Sequence, residues 1–330
     1  MAPSDEITPG ARVLITGITG FAGSHLAETC LAAGCSVSGF SRDTSHPYPN
    51  LERISDRLEI LQVDIADEAQ VRSAVAKAKP HVIFHLAAAT GAQDPLKEMF
   101  NTNIIGSLNV LEAAGTLRQP PRVLVASSSA LYGAPELASE KIVEETSPNP
   151  VSAYGLSKAA QDAVALRAGR RQGNVVIVAR AFNHTGPREH PHFLASKVAR
   201  QIALAEIGEG PPRILIGRMD AIRDFSDVRD IVEGYYLAAT RGKSGEAYNL
   251  ASGNGVRIQS IVERLRDLAA VKMEVLSEDA GDRKADVPCQ VGDASKARTE
   301  LGWSPKIPLD QTLADLLDHW RVILGTGLEK

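Results

Sequence analysis

A short apolar run, Arg12-Val-Leu-Ile-Thr16, meets glycines at 17, 20 and 23 and passes into a helical stretch, Phe21–Ala33. Few folds accommodate that join. Glycine lets the chain turn tightly and lets its backbone approach another group closely. The following helix offers unpaired N–H groups and the positive end of its dipole. Together they suit a pyrophosphate at the first turn of a βαβ unit. The spacing is Gly-x-x-Gly-x-x-Gly instead of the commoner Gly-x-Gly-x-x-Gly. An ordinary glycine-rich turn would look alike locally, but this one opens a strand–helix alternation, the context the nucleotide reading requires. Gly17, Gly20, Phe21 and Gly23 are therefore candidate dinucleotide contacts.

The alternation continues. Further strand candidates are Ser36–Phe40, Leu58–Val63, His81–Leu86, Arg122–Ala126 and Val175–Arg180, with helices at Asp67–Ala78, Leu96–Leu117 and Ala153–Gln172. This pattern predicts an α/β fold: a Rossmann-type, doubly wound parallel sheet with helices on both faces and ligands at the carboxyl ends of the strands. With 330 residues, 44% of them hydrophobic, the chain can build one large or two smaller lobes. After Phe182, prolines at 187, 191, 211, 212, 288, 305 and 308 break the pattern into shorter elements. A smaller C-terminal α/β substrate lobe is expected there, with a helix at Asp227–Thr240 and a strand at Glu246–Ala251.

Two strings carry the chemistry: Ser127-Ser-Ser-Ala-Leu-Tyr-Gly133 and Tyr154-Gly-Leu-Ser-Lys158. Tyr154 and Lys158 are four residues apart, which stacks them on one helix face. A free tyrosine has a pKa of about 10, too high for a good base near neutrality. A neighbouring ammonium is expected to lower it. Such a pair can give a proton to a ketone oxygen or take one from an alcohol. A serine at a nearby strand end, Ser128 or Ser129, would hold the same oxygen by a hydrogen bond. Tyr-x-x-x-Lys recurs by chance, and it gains weight here from the glycine string upstream.

These residues resemble the extended short-chain dehydrogenase/reductase family, in its nucleotide-sugar branch. The resemblance covers nearly the whole chain and includes Thr16–Gly23, Asp64-Ile65, His85-Leu-Ala-Ala88, Asn103, Ser127–Gly133, Tyr154–Lys158 and Arg223-Asp-Phe-Ser-Asp-Val228. Three C-terminal strings are narrower markers: Arg180-Ala-Phe-Asn-His-Thr-Gly-Pro187, Asp286-Val-Pro288 after Arg283, and Val291-Gly-Asp293 before Lys296. They look most like GDP-4-keto-6-deoxy-D-mannose reductases, with GDP-mannose 4,6-dehydratases close by. The resemblance implies Ser128, Tyr154 and Lys158 as the catalytic set, with Ser128 preferred over Ser129. It implies cofactor contacts from Asp64, Ile65, Leu86, Ala87 and Ala88. It implies substrate contacts from Asn183 and Lys197, and a grip on the diphosphate from Arg223 and Arg283, as guanidinium–phosphate chemistry favours. It also implies that residues about 226–252 return to the first lobe. The dinucleotide-binding part is then 1–181 plus 226–252, and the sugar-binding lobe 182–225 plus 253–330. In the family, helices matching Leu96–Leu117 and Ala153–Gln172 pair across a two-fold axis, so a homodimer is expected, although both faces could serve as intramolecular core.

One departure separates the reactions. Dehydratases of this branch carry an acid two positions after the serine or threonine, where it helps expel water. Here that position is Ala130, which cannot transfer a proton. The expected reaction is NAD(P)H-dependent reduction of the 4-keto group of GDP-4-keto-6-deoxy-D-mannose to a GDP-6-deoxyhexose such as GDP-D-rhamnose. A nucleotide-sugar 4-epimerase that recycles a bound NAD needs no acid there and is the alternative. A dehydratase or a non-catalytic NADP-binding protein ranks lower, since Tyr154 and Lys158 are both intact.

The tip of the second strand reads Phe40-Ser41-Arg42. NAD-preferring enzymes usually place an acid here, which repels a 2′-phosphate. Ser41 and Arg42 could instead hold that phosphate, so NADP(H) is expected, with NAD(H) possible. Arg42 as a plain surface arginine is the competing reading. Asp64 would bond the adenine amino group by family analogy, and helix capping by Asp64 or Asp67 is the alternative. The net charge of −4 gives no broad basic surface for nucleic acid. Three cysteines without a Cys-x-x-Cys pair suggest a reducing compartment and no metal site. His190-Pro-His192 lacks partners at ligand spacing and reads as a loop. The polar N-terminus and the absence of an apolar run near 18 residues favour a cytoplasmic protein without membrane partners.

Overall fold

The computed structural model describes residues 7–43, 48–91, 95–134, 141–171, 173–277 and 287–326. The strands are β1 (Arg12–Thr16), β2 (Ser36–Ser41), β3 (Leu58–Gln62), β4 (Val82–His85), β5 (Arg122–Ser128), β6 (Val175–Ala181), β7 (Asn183–Thr185), β8 (Arg213–Ile216), β9 (Ile222–Asp227), β10 (Ala247–Leu250), β11 (Gly255–Arg257), β12 (Glu274–Ser277) and β13 (Cys289–Gln290). The helices are α1 (Phe21–Ala32), α2 (Glu68–Ala78), α3 (Leu96–Phe100), α4 (Gly106–Gly115), α5 (Ala153–Gly169), α6 (Leu194–Glu206), α7 (Val228–Arg241), α8 (Ile258–Asp267) and α9 (Leu309–Thr326).

The main sheet has seven parallel strands in the order β10-β6-β5-β4-β1-β2-β3. Strand order reverses between β1 and β4, the crevice where open α/β sheets bind ligands. Because side chains alternate across a strand, each strand feeds two cores. Val13 and Ile15 of β1, Phe84 of β4 and Leu124 of β5 pack with Leu26 of α1 and Ile231 of α7. Leu14, Ile83, Val123 and Val125 point the other way, onto Val71 and Val75 of α2 and Val110 of α4. Burial on both faces explains why these strands read as continuous apolar runs.

The strand after α7 does return to the main sheet: β10 pairs with β6. A second, smaller sheet is assembled on β9, which pairs with β7, β11 and β13. A two-stranded sheet of β8 and β12 packs with α6, α8 and α9 in a third core. The stretch predicted as one helix over Leu96–Leu117 is interrupted by a π-helical turn at Asn101–Ile105. That turn places Asn103 on Ala89.

Candidate active site

The glycine turn is built by close packing. Gly17 adopts φ +73, and a Cβ there would lie 2.9 Å from the Ala87 nitrogen, at the end of the neighbouring strand β4. A Cβ on Gly23 would sit 2.1 Å from the Gly17 carbonyl oxygen. The first turn of α1 is thus pressed against the loop that precedes it. Gly20 is the N-cap; no side chain caps this end and no acidic residue lies in the first turn. The residues present therefore fit an anionic diphosphate, because the terminal N–H groups and the dipole meet no competing carboxylate. Phe21 stacks on His184 with centroids 5.8 Å apart and planes within 9°. The glycine turn is thereby joined to β7, which carries Asn183.

At the tip of β2, Ser41 is buried and its hydroxyl donates to the Asp43 carbonyl at 2.5 Å. Arg42 is exposed and pairs with Glu98 of α3. Asp64 Oδ1 accepts the Ala66 N–H at 2.9 Å, whereas Asp67 is the residue that caps α2, by accepting from Gln70 N–H at 3.0 Å. Ile65 is buried, and its carbonyl accepts from Asn109 Nδ2. Leu86 and Ala87 donate their N–H groups to the Thr16 carbonyl and hydroxyl, and Ala88 is half-buried beside them. Asn103 brackets Ala89, accepting its N–H at 2.8 Å and donating to its carbonyl at 3.0 Å.

The Ser–Tyr–Lys set converges at the end of β5. Ser152 caps α5 by accepting the Gly155 N–H at 3.0 Å. A Cβ on Gly155 would come 2.5 Å from the Ala130 carbonyl oxygen, so the glycine after Tyr154 lets α5 press onto the turn at Ser129–Leu131. That approach brings the Tyr154 side chain beside Ser128, near enough for the serine hydroxyl to favour the phenolate. The Ser128 hydroxyl also accepts the Ala130 N–H at 3.2 Å. Ser129 faces elsewhere and donates to Gln290 at 3.0 Å. Of the two serines weighed from sequence, Ser128 is the one beside Tyr154.

The electrostatics differ from the sequence expectation in one respect. Burial pushes the Tyr154 phenol above its ordinary value, and the Ser128 hydrogen bond opposes that push. Lys158 Nζ is 6.0 Å from the Tyr154 ring centroid. Its N–H groups go to the Ala126 carbonyl and the Gln161 side chain, at 2.6 and 2.5 Å. Burial brings Lys158 itself down to about 7, with the Asp162 carboxylate opposing.

The substrate candidates lie on the smaller sheet and its neighbours. Asn183 on β7 pairs with Phe225 of β9, two residues along from Arg223. Arg223 is half-buried between β11 and β13 and donates to the Ile222 carbonyl at 2.9 Å. Lys197 is half-buried in α6. Arg283 and Asp286 lie outside the described residues. His190 and His192 contact each other on the loop before α6. Among the described residues no group of three His, Cys, Asp or Glu could hold a metal ion, and no helix is long and apolar enough to cross a membrane.

Sequence reasoning missed the support behind this site. Arg180 of β6 grips Asp162 of α5 through two bonds of 3.0 and 2.8 Å, and reaches Tyr132 and the Glu144 carbonyl. Gln161 also escaped notice. No spacing rule marks these partners, which meet only once the sheet has formed.

Comparison with known proteins agrees with this architecture. The family model described as GDP-mannose 4,6 dehydratase matches residues 14–316. The GDP-6-deoxy-D-mannose reductase of Pseudomonas aeruginosa is 31% identical over 312 residues, covering 94% of this chain and 97% of that protein. The structure of RMD from Pseudomonas aeruginosa complexed with NADPH superposes with a TM-score of 0.81 at 29% identity, covering 96% of this chain and 99% of that one. The UDP-glucose 4-epimerase of Thermus thermophilus, in complex with NAD, superposes with a TM-score of 0.82 at 26% identity, covering 94% of this chain and 99% of that one. The chain belongs to the GDP-mannose 4,6 dehydratase family of extended short-chain dehydrogenases/reductases.

Proposed function

We propose that this protein is an NADPH-dependent reductase that converts the 4-keto group of GDP-4-keto-6-deoxy-D-mannose to an alcohol, forming GDP-D-rhamnose. The observation that carries the reading is the close packing of α5, which carries Tyr154 and Lys158, onto the turn after Ser128, where the candidate acid position is Ala130. A group that donates a proton to a carbonyl oxygen is present, and the acid that would expel water is replaced by a methyl. Similarity to the Pseudomonas reductase and to the NADPH-bound RMD structure supports it.

When bound, the nicotinamide supplies the hydride. This chain's residues handle the oxygen: Ser128 hydrogen-bonds it and Tyr154 gives it a proton, a division of labour that general acids typically make worth about 10²–10⁴-fold in rate. Lys158 carries positive charge beneath the tyrosine and offers its remaining N–H to the ribose. Gly17, Gly20, Phe21 and Gly23 hold the diphosphate of the cofactor, with Ile65, Leu86, Ala87 and Ala88 along its length and Asp64 at the adenine. Ser41 and Arg42 receive the 2′-phosphate. Asn183, Lys197, Arg223 and Arg283 hold the nucleotide sugar. In this reading residues 1–181 with about 226–252 bind the dinucleotide, and the rest bind the sugar.

The second reading is a 4-epimerase, favoured by the likeness to the NAD-bound Thermus enzyme. A panel of GDP-, UDP- and dTDP-4-keto-6-deoxy sugars, each offered with NADPH and NADH while the reduced nicotinamide is followed, separates the two. Oxidation with the GDP-linked ketone supports the reductase; no oxidation with any ketone overturns it.

We also infer a cytoplasmic homodimer. Leu96, Ile105 and Leu156, on α3, the π-helical turn and α5, are 52%, 43% and 49% exposed, and a two-fold pairing would cover them. Light scattering at micromolar concentration should give twice the chain mass, and Leu156→Glu should reduce it to one chain.

A further inference from the structure

Lys158 is tied to the glycine strand through the protein interior. Gln161 lies one turn beyond Lys158 on α5 and has no solvent exposure. Its Oε1 accepts from Lys158 Nζ at 2.5 Å, and its Nε2 donates to Ser107 Oγ at 2.7 Å. Ser107 spends its own hydrogen on the Asn103 carbonyl at 2.6 Å. His85 Nε2, 2.8 Å from Ser107 Oγ, must then be a donor. That leaves His85 Nδ1 to accept from the Thr16 hydroxyl at 2.8 Å, while Thr16 Oγ1 accepts the Ala87 N–H at 3.1 Å. The Ser107 hydroxyl, His85 Nε2–H and the Thr16 hydroxyl each donate once along this chain. The order fixes the Gln161 amide from both ends: turned over, it would face its NH₂ towards an ammonium and its oxygen towards a hydroxyl whose hydrogen is committed.

We propose that Gln161 is a positioning residue for Lys158, holding its Nζ as an ammonium and leaving one of its three N–H groups free for the cofactor ribose. The inference rests on the nicotinamide reading above. Lysine has three donors; Gln161 and the Ala126 carbonyl take two, in directions the buried chain does not allow to drift. An oxygen acceptor favours the charged form, whereas burial opposes it. The charged and titratable groups that face Lys158 are Tyr154 and Asp162 on α5 and His85 on β4; behind them Arg180 on β6 is paired with Asp162, and Tyr235 on α7 faces Tyr154. His85 is held neutral by its burial. β5 meets Lys158 through the Ala126 carbonyl and the 101–115 segment meets Gln161 through Ser107, and neither carries a charge. Gln161 is thus the neutral acceptor that can be altered without touching an ion pair.

The test is NADPH affinity as a function of pH, measured by fluorescence titration on the full chain with no sugar present. Wild-type affinity should fall on the alkaline side as Lys158 loses its proton. Gln161→Leu removes an acceptor from the charged form, so the fall should come about one pH unit lower. Gln161→Glu sets a carboxylate beside the ammonium, so the fall should move up by about one unit or more. Opposite displacements are not something a packing defect produces. If Gln161→Glu melts like the wild type and its alkaline limb stays in place or moves down, Gln161 serves packing alone and the inference fails. Should the wild type bind neither NADPH nor NADH, the nicotinamide reading falls, and the role of Gln161 with it.

Discussion

Arg42 Nη1 lies 3.5 Å from Glu98 Oε1, so the guanidinium at the tip of β2 is already engaged with α3. Both side chains are more than half exposed, which places the pair in the range of about 0–1 kcal/mol. That is a weak hold, readily exchanged for a doubly charged phosphate. Arg42→Asp should shift preference from NADPH towards NADH, since the carboxylate repels a 2′-phosphate and accepts from a free ribose hydroxyl. Glu98→Gln should act in the other direction and lower KM for NADPH, by about fivefold at most. The ratio of kcat/KM for the two cofactors measures both. An unchanged ratio in Arg42→Asp would place Arg42 away from the ribose.

Tyr154→Phe keeps the ring that packs behind Ser128 and removes only the hydroxyl. Melting temperature and NADPH affinity should stay near wild type while kcat falls by about 10²–10⁴-fold. Turnover close to wild type would mean that another group delivers the proton.

A third expectation concerns pH. Glu189 is buried on the loop before α6, where its carboxyl accepts from the Thr185 hydroxyl at 2.6 Å and from the Ser196 N–H. Burial outweighs those bonds and pushes it up to about 8 from an ordinary 4.5. The folded protein therefore keeps a proton that the unfolded chain releases. Its contribution is fully present below about 4.5 and is lost as the pH rises towards 8. Glu189→Gln retains an acceptor for Thr185 and has nothing to ionise. Denaturant titrations at pH 5 and pH 8 should show the variant gaining on the wild type at the higher pH, by an order of 1 kcal/mol or more. An equal difference at the two pH values would contradict the assignment.

Local rules made much of this visible in the sequence. β1 and the glycines after it could be read because a buried strand is an apolar run and because Gly17 and Gly23 leave no room for a Cβ. Tyr154 and Lys158 could be read because four residues make one helical turn. The rest depends on residues far apart in the chain. His85 meets Thr16 across 69 positions, Gln161 meets Ser107 across 54, and Arg180 meets Asp162 across 18. Polar side chains at these places look like ordinary strand and helix residues until the sheet brings them together. The π-helical turn at Asn101–Ile105 was hidden for a related reason: it preserves the apolar pattern of a helix while rotating Asn103 onto Ala89. Spacing placed Lys158 beside Tyr154 but could not show its two acceptors, the Ala126 carbonyl and the Gln161 side chain.

The central claim is that a methyl at Ala130, beside an intact Ser128, Tyr154 and Lys158, makes this a reductase and not a dehydratase. The most direct measurement offers the purified protein GDP-mannose with NADP⁺ in one vessel and GDP-4-keto-6-deoxy-D-mannose with NADPH in another, and identifies the sugar products by NMR. The account predicts a GDP-6-deoxyhexose in the second vessel, formed in step with NADPH oxidation, and unchanged GDP-mannose in the first. Efficient conversion of GDP-mannose to the keto sugar, or interconversion of 4-hydroxyl epimers without added nicotinamide, would contradict it.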